Sequence, residues 1–391
     1  MKIGFLSSHF LDDRNSFSGC IYYMYQAIQS LEDAEIVAIA ETFHSRTRIY
    51  NFIGRLIGKF GNRKSFLVRA FRKYLANQCL RSANADLLRN KVDVVIAPVG
   101  ANLLAHLDPR VKTLFIYATD ATPQFVQESS AIFSPTGYAE ALACERLALQ
   151  RAARVMYSSH YMADRACHHD FSDVLSQCSE KVQVIPWGLN MDTLPEFLGD
   201  RPRDELRLLF VGKQWLRKGG DIALETLQIL QEKGYKAQLT IIGSDPAEAR
   251  NLPGVTVIPF LDKNKPEESA QYVEQLKRSH FLILPTRSDC TPMVIAEANA
   301  YGVPVITTDV GGIGTLVHPG INGYMVSLEA PAEDYATCIA TAFDDPVTYQ
   351  TLTQGSRTEY LQRLNWKAWA QSVYQVCLEL HTAKASVGSR S

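Results

Sequence analysis

The stretch that decides the fold runs from residue 284 to residue 306 and reads LPTRSDCTPMVIAEANAYGVPVI. An apolar strand leads into a polar loop, and Thr291 as N-cap with Pro292 at the first helical position predicts a helix over 292–301. Gly302 ends this helix before the next apolar run begins. A strand, a helix and a second strand in this order are typical of a parallel sheet covered by helices.

The same alternation continues in both directions along the chain. Short apolar runs predict strands at 2–7, 35–40, 92–97, 112–117, 154–158, 182–185, 206–211, 238–242, 255–258, 280–284 and 304–307. Amphipathic stretches between them predict helices that include 20–31, 62–83, 137–152, 219–233, 267–278, 292–301, 332–342 and 366–381. The pattern stops and restarts at the polar linker Leu194–Asp204. We therefore predict two doubly wound α/β domains, 1–195 and 204–365.

Composition limits the class of protein. The chain has 391 residues, with 40 Lys and Arg against 41 Asp and Glu, a balance that argues against a dedicated nucleic-acid binder. No apolar run approaches the ~20 residues that span a bilayer. Eight cysteines without a C-x-x-C pair or a secretory signal indicate reduced thiols in a cytoplasmic protein. The adjacent residues of Cys167–Asp170 lack the spacing of metal ligands, so no metal site is expected.

A first candidate site follows the strand that ends at Val211. Gly212 allows a tight turn, Lys213 and Lys218 follow it, and a helix begins near Gly219. Backbone N–H groups at that helix start, together with the two lysines, would bind a diphosphate. A solvated basic turn is the alternative interpretation.

A second candidate site lies in the opening stretch. Asp289, Met293 and Glu297 recur every four residues, which on a continuous helix would place the two acids ~12 Å apart on one face. Hydrolytic carboxylate pairs are only about 5–9.5 Å apart, so this track suits the two ends of an extended ligand. Asp289 would bind a sugar hydroxyl, Glu297 a ribose diol, and the N–H groups of Thr291, Met293 and Val294 a diphosphate. The alternative is an ordinary amphipathic helix with one exposed Glu.

These segments resemble the retaining glycosyltransferases of family 4, also called glycosyl transferases group 1. That family carries a phosphate loop of the form G-R…K-G and an E-x7-E motif at the positions just described. The resemblance is densest from Tyr157 to Gly323, and further matching segments are Ser158-Ser159, Lys181–Gly188, Asp309–Gly312 and Gly320–Gly323.

The resemblance implies a GT-B fold, in which two Rossmann-like doubly wound parallel-sheet domains face each other across a cleft. It implies transfer of a sugar from a nucleoside-diphosphate sugar to an acceptor hydroxyl, with retention of configuration and with no bound metal. Lys213 and Lys218 would stabilise the leaving group, and Asp120 would hold the sugar or orient the acceptor. Phe260 and Leu261 would border the base. Residues 366–391 would form a helix that crosses back to the first domain, followed by a frayed tail.

The sequence departs from the family pattern at four positions. Asp289 stands where the family usually has Glu, and Lys213 replaces the usual Arg and its bidentate fork. Ser18-Gly19 replaces a glycine pair after the first strand, so that only Gly19 matches. Asp120 stands where many members have a His near the donor sugar. The resemblance thus implies nucleotide-sugar binding, and the identity of the sugar stays open.

Three other functions remain as alternatives. A nicotinamide oxidoreductase would use Gly312-Ile313-Gly314, but Val317 occupies the third glycine position of that fingerprint. A GT-B epimerase or phosphorylase, or a non-catalytic sugar-nucleotide binding protein, would keep the same donor site.

A basic segment, 44–91, carries twelve Lys and Arg residues and one acid. Apolar side chains alternate with these cations, so one interpretation is an amphipathic helix that lies on an anionic membrane surface. The protein would then be cytoplasmic and bound peripherally to the inner face of the membrane. The alternatives are a sheet-covering helix with a solvated basic face and a basic wall for an acidic acceptor.

Overall fold

The computed structural model describes residues 1–14, 16–46, 49–50, 52–54, 66–175, 179–191, 197, 199 and 201–388. The chain divides into two compact units. Unit 1 comprises the described residues of 1–158, 162–185 and 370–391, and unit 2 comprises those of 159–161 and 186–369. Within the described residues, no helix has the length and apolar character required to cross a membrane.

Unit 1 is built on a six-stranded parallel sheet of order β2-β1-β3-β4-β5-β6. The third strand is buried at all five positions, because helices cover both faces of the sheet. The strands are β1 Lys2–Leu6, β2 Glu35–Ile39, β3 Val94–Pro98, β4 Leu114–Thr119, β5 Arg154–Tyr157 and β6 Val182–Val184.

The helices of this first part of the chain connect successive strands. They are α1 Cys20–Gln29, α2 Glu41–His44, α3 Phe66–Arg89, α4 Ala101–His106, α5 Pro123–Ser130, α6 Pro135–Arg151, α7 His160–Arg165 and α8 Ser172–Leu175. Ser134 caps α6, because its hydroxyl accepts from the N–H of Gly137 and a proline follows at the first helical position.

Unit 2 contains a second six-stranded parallel sheet, of order β12-β11-β10-β7-β8-β9. Its strands are β7 Leu206–Val211, β8 Ala237–Ile242, β9 Val255–Ile258, β10 Phe281–Leu284, β11 Val305–Thr308 and β12 Gly323–Val326. All residues of β10 and β11 are buried, in agreement with the continuous apolar sequence of β10. The two buried threonines of β11 form hydrogen bonds through their hydroxyls, Thr307 with the oxygen of Leu284 and Thr308 with the hydroxyl of Tyr335. The prediction of two doubly wound α/β domains is thus confirmed at the level of the fold.

The helices of the second part complete the two layers around this sheet. They are α9 Gly220–Glu232, α10 Pro266–Arg278, α11 Met293–Ala300, α12 Ala332–Asp344, α13 Pro346–Gln362 and α14 Trp366–Gly388. The last helix belongs to unit 2 through Trp369 and to unit 1 from Ala370 onwards. Strand β12 and helix α13 were not predicted from the sequence.

Two predicted segments lie partly outside the described residues. In the linker Leu194–Asp204, the described residue Arg201 is buried, and its guanidinium donates to the backbone oxygens of Lys277, Tyr301 and Gly302. The basic segment 44–91 is described only in part: Arg48, Arg55, Lys59, Arg63 and Lys64 fall outside, as do the side chains of Arg69 and Arg72. Its contact with a membrane therefore stays a prediction.

Candidate active site

The strand order of unit 2 reverses between β7 and β10. The chain proceeds from β7 to β8 and β9 in one direction, then from β10 to β11 and β12 in the other. The loops that follow two such strands diverge at the carboxyl edge of the sheet, which is where open α/β sheets bind ligands. Both sequence-predicted loops, 212–219 and 285–292, leave the sheet at this point.

Hydrogen bonds join the two loops to each other. The backbone oxygen of Arg217 accepts from the N–H of Arg287 at 2.8 Å and from the hydroxyl of Thr286 at 3.1 Å. Gly219 permits this approach, since a Cβ on it would lie 1.8 Å from the oxygen of Pro285, and its φ of +73° also favours glycine. The glycine before α9 is therefore required by packing as well as by backbone conformation.

An ion pair completes the link between the loops. The ammonium group of Lys218 donates to the carboxylate of Asp289, and the two side chains are only 15% and 12% exposed. A lysine and a carboxylate from two loops far apart in sequence thus meet at the switch point, with their charges largely shielded from water. This arrangement orients a cation where a charged ligand would enter.

A pair of glycines holds the backbone of Asp289. Gly312 donates its N–H to the oxygen of Asp289 at 3.1 Å. A Cβ on Gly311 would lie 2.1 Å from that same oxygen, and a Cβ on Gly312 would lie 1.9 Å from the oxygen of Cys290. The glycine pair after β11 was recognised from sequence as a motif, and its physical reason is this close backbone approach.

Helix α11 begins one residue later than predicted. Its N-cap is Pro292 rather than Thr291, and the cap supplies no side-chain hydrogen bond to the first turn. The prediction of Thr291 as N-cap and Pro292 as first helical residue was wrong, because Pro292 has an extended ψ of 104°. Met293 and Val294 therefore form the first turn, whose N–H groups and dipole would favour an anion.

Glu297 lies on α11 with both carboxylate oxygens engaged. Oε1 accepts from the ammonium of Lys263 at 2.5 Å, and Oε2 accepts from the hydroxyl of Tyr272. Burial and the neighbouring carboxylate raise the pKa of Tyr272 well above its ordinary value, so the tyrosine remains a donor. The exposed-Glu alternative is wrong, since Glu297 is only 3% exposed. Lys263 and Tyr272 were missed from sequence.

The remaining predicted donor-site residues follow β7 and β9. Gly212 accepts a hydrogen bond from the hydroxyl of Ser244, which follows β8. The ammonium of Lys213 lies 4.8 Å from the ring centre of Phe260, in a cation–π contact, and the phenyl group is 54% exposed. Leu261 beside it is buried in the core of unit 2. Three loops at one sheet edge, after β7, β9 and β10, together with helix α11, thus hold the predicted residues of this unit.

Gly19 and Asp120 belong to unit 1. In that sheet the order reverses between β1 and β3, and left-handed backbone occurs after both strands: at Phe17, Ser18 and Gly19 (φ 49°, 56° and 89°) and at Val99 (φ 51°). Non-glycine residues adopt this conformation only when their surroundings impose it, often at functional sites. Asp120 directly follows β4.

A buried carboxyl group lies near Asp120. Glu145 of α6 is 3% exposed and accepts a hydrogen bond at 2.9 Å from the hydroxyl of Tyr117. Burial raises the pKa of Glu145 from 4.5 to about 8, and the charge of Asp120 acts in the same direction. Burial therefore favours the neutral acid at pH 7, against the hydrogen bond from Tyr117, which favours the carboxylate.

The two weaker motifs of the sequence lie at a short 3-10 turn and in a π-helical turn. Gly312 caps a short 3-10 turn, Ile313–Thr315, that contains Gly314, whereas a dinucleotide fingerprint opens a longer helix. In the part of the chain that the structure describes, no group of three or more His, Cys, Asp and Glu side chains is placed to hold a metal ion. Asp170 instead accepts from Thr122 at 2.5 Å and from Arg165 at 2.8 Å.

Comparison with known proteins confirms the family resemblance. Residues 205–345 match the family model for glycosyl transferases group 1. A D-inositol 3-phosphate glycosyltransferase of Xylanimonas cellulosilytica is 26% identical over 215 residues, which are 50% of this chain and 51% of the relative. A glycogen synthase of Mycobacterium tuberculosis is 28% identical over 210 residues, 51% of this chain and 48% of the relative. The matched regions span about half the length of these curated relatives.

Solved structures share the fold along nearly the whole chain. Sucrose-phosphate synthase from Thermosynechococcus elongatus has a TM-score of 0.68 at 16% identity, covering 98% of this chain and 100% of its own. Anabaena HepE in complex with UDP has a TM-score of 0.63 at 15% identity, covering 97% and 100%. The fold is GT-B, as predicted. The match to glycosyl transferases group 1 lies within unit 2.

Proposed function

We propose that the protein is a retaining glycosyltransferase that moves a sugar from a nucleoside-diphosphate sugar to an acceptor hydroxyl. The observation that carries the proposal is the Lys218–Asp289 ion pair, which joins the two loops of the switch point within a group 1 domain. The family match and the glycosyltransferase relatives support the same reaction class.

In this proposal, different residues of unit 2 bind different parts of the donor. Lys213, Lys218 and the first turn of α11 bind the diphosphate and stabilise the charge that develops on it when the sugar leaves. Glu297 binds the ribose diol at one end, and Asp289 binds a sugar hydroxyl at the other. Because two lysines supply this stabilisation, we propose that the reaction needs no bound metal ion.

Retention of configuration follows from a front-face mechanism. The bond between the anomeric carbon and the diphosphate oxygen breaks while the acceptor oxygen attacks the same face. The departing phosphate oxygen takes the acceptor's proton, so no enzyme nucleophile is required. Asp120 and Gly19 of unit 1 are assigned to the sugar and acceptor by family resemblance.

The first donors to test are UDP-sugars, since UDP occupies a structural neighbour. Purified protein is incubated with UDP-, GDP- and ADP-sugars and with acceptors that include inositol phosphates and lipid glycans. We expect one donor to release its nucleoside diphosphate faster with an acceptor, in EDTA as well as without it, and NMR to show the donor's anomeric configuration in the product. Turnover of the donor to an epimer without any acceptor, or binding without turnover, would contradict the proposal.

A further inference from the structure

The carboxylate of Glu297 is closed to ligands in this structure. Its side chain is 4% exposed, and both of its oxygens already accept strong hydrogen bonds, from Lys263 and from Tyr272. A ribose diol that binds Glu297 must therefore either displace one of these donors or find the carboxylate uncovered.

The two donors differ in how readily they can leave. Tyr272 lies within helix α10 and is 2% exposed, so its hydroxyl cannot exchange Glu297 for solvent water. Lys263 lies in the segment between β9 and α10, and its side chain is 38% exposed. Water can solvate its ammonium group as soon as the ion pair opens, because the lysine stem is long and flexible.

Two interactions of moderate strength hold the ammonium group of Lys263 over the carboxylate of Glu297. Its ammonium lies 4.4 Å from the ring centre of Tyr272 as well as 2.5 Å from Glu297. The cation–π contact and the ion pair hold the same group over the same carboxylate. The partial exposure of Lys263 weakens both interactions enough for a ligand to compete with them.

We propose that Lys263 is a gate on the ribose site: it covers Glu297 in the unliganded protein and is displaced from Oε1 when the diol binds. This inference rests on the proposed function, in which Glu297 binds the ribose. Tyr272 keeps its hydrogen bond to Oε2 throughout and fixes the plane of the carboxylate. The ligand's affinity is then reduced by the free energy needed to open the ion pair.

Lys263→Met removes the competing cation and keeps much of the apolar stem. We expect the dissociation constant of UDP, measured by calorimetry, to fall about five-fold, because the free energy of opening an ion pair whose cation is partly exposed no longer opposes binding. Lys263→Arg replaces the point charge with a bidentate fork, so we expect the dissociation constant to rise above that of the wild type. If the wild type binds ADP or GDP instead of UDP, the same measurements are made with that nucleotide.

The matched control is Lys265→Met. Lys265 lies two residues further along the same segment and pairs with Glu268 at 2.6 Å, so this variant removes an equal charge without touching Glu297. Its UDP affinity should equal that of the wild type. Tighter binding by both methionine variants would show a general effect of charge and overturn the gate, and so would unchanged or weaker binding by Lys263→Met alone.

Two further measurements separate the possible failures. 2′-Deoxy-UDP lacks one hydroxyl of the diol, so Lys263→Met should improve its affinity less than that of UDP. If Lys263→Met does not fold, Lys263→Arg decides: unchanged or tighter UDP binding overturns the gate. Failure of the wild type to bind any of the three ribonucleotides would refute the proposed function, whereas wild-type binding with no Lys263 effect refutes the gate alone.

Discussion

Lys218 and Asp289 are 71 residues apart in the sequence, yet their side chains form an ion pair across the topological switch point of unit 2. Neither residue would hold its position alone, because each lies in a loop without regular structure. The hydrogen bonds of Arg217 with Thr286 and Arg287 bring the loops together, and the ion pair then fixes the lysine. A cation that is already held in position can stabilise the charge that develops on a departing diphosphate.

Replacing Lys218 by alanine should slow the chemical step. At saturating donor we expect kcat to fall about 100- to 1,000-fold, because a charge that stabilises the leaving group acts mainly in the transition state. Lys233→Ala is the control, since Lys233 lies at the end of α9 in an exposed ion pair with Glu333. A kcat near the wild-type value in Lys218→Ala would remove the leaving-group role.

Gly219→Ala should damage the site through steric overlap, and Gly234→Ala separates this effect from backbone strain. Both glycines have positive φ, +73° and +92°, but a Cβ on Gly234 would meet no atom within 4 Å. We expect Gly234→Ala to lower the free energy of unfolding by about 1–2 kcal/mol. Gly219→Ala should lose more and should also weaken nucleotide binding, because the oxygen of Pro285 must move. Equal losses in urea titrations would contradict the packing argument.

Glu297→Gln should weaken nucleotide binding selectively. A diol that donates to a carboxylate contributes about 1.5–3 kcal/mol, so the dissociation constant of UDP should rise roughly 10- to 100-fold in calorimetry. Pyrophosphate, which has no ribose, should bind the variant and the wild type alike. Glu274→Gln, on the exposed side of α10, provides the control. Donor affinity that does not change in Glu297→Gln would refute the ribose assignment.

Glu145 should make stability depend on pH in the neutral range. Between pH 4.5 and about 8 the folded state keeps its proton while the unfolded state loses it, so the free energy of unfolding falls as pH rises through this window. Glu145→Gln removes the effect and should stabilise the protein at pH 7 by a few kcal/mol, since each tenfold difference in the acid's ionisation constant between the folded and unfolded states corresponds to about 1.4 kcal/mol.

The gain from Glu145→Gln should disappear near pH 4, where both states of the wild type are protonated. Glu140→Gln is the matched control, because Glu140 is exposed on the same helix. Denaturant titrations at several pH values measure the difference. A gain that is independent of pH would show that Glu145 is ionised in the folded protein.

The sequence predicted which loops lie at the sheet edge more completely than it predicted which side chains contact each other there. Parallel strands bring their carboxyl ends to one edge, so the strand pattern predicted the edge where Lys218 and Asp289 lie, and the four-residue spacing predicted Glu297 on the following helix. Lys263 and Tyr272 could not be found in this way. They come from an irregular segment and from a helix whose orientation depends on tertiary packing, and sequence spacing carries no signal of either contact with Glu297.

Local backbone geometry explains the other features that the sequence did not predict. Strand β12 has only four residues and begins at a glycine, which leaves too short an apolar run for a periodic signal. The proline at position 292 is compatible with either side of a helix boundary, and its observed ψ decides the question against Thr291 as cap. The glycines at 311 and 312 were visible as a motif, but only the neighbouring backbone oxygens explain them.

The division of α14 between the units has a consequence for biosynthesis. Unit 1 includes residues from 370 onwards, where Tyr374 donates to the oxygen of Asp33 at 3.2 Å and His381 lies 3.8 Å from Asp93. A ribosome releases these residues only after the whole of 186–369 has been made. Unit 2 can therefore complete its fold during translation, while the earlier-synthesised unit must wait, with part of its surface uncovered, for a helix that is translated after unit 2.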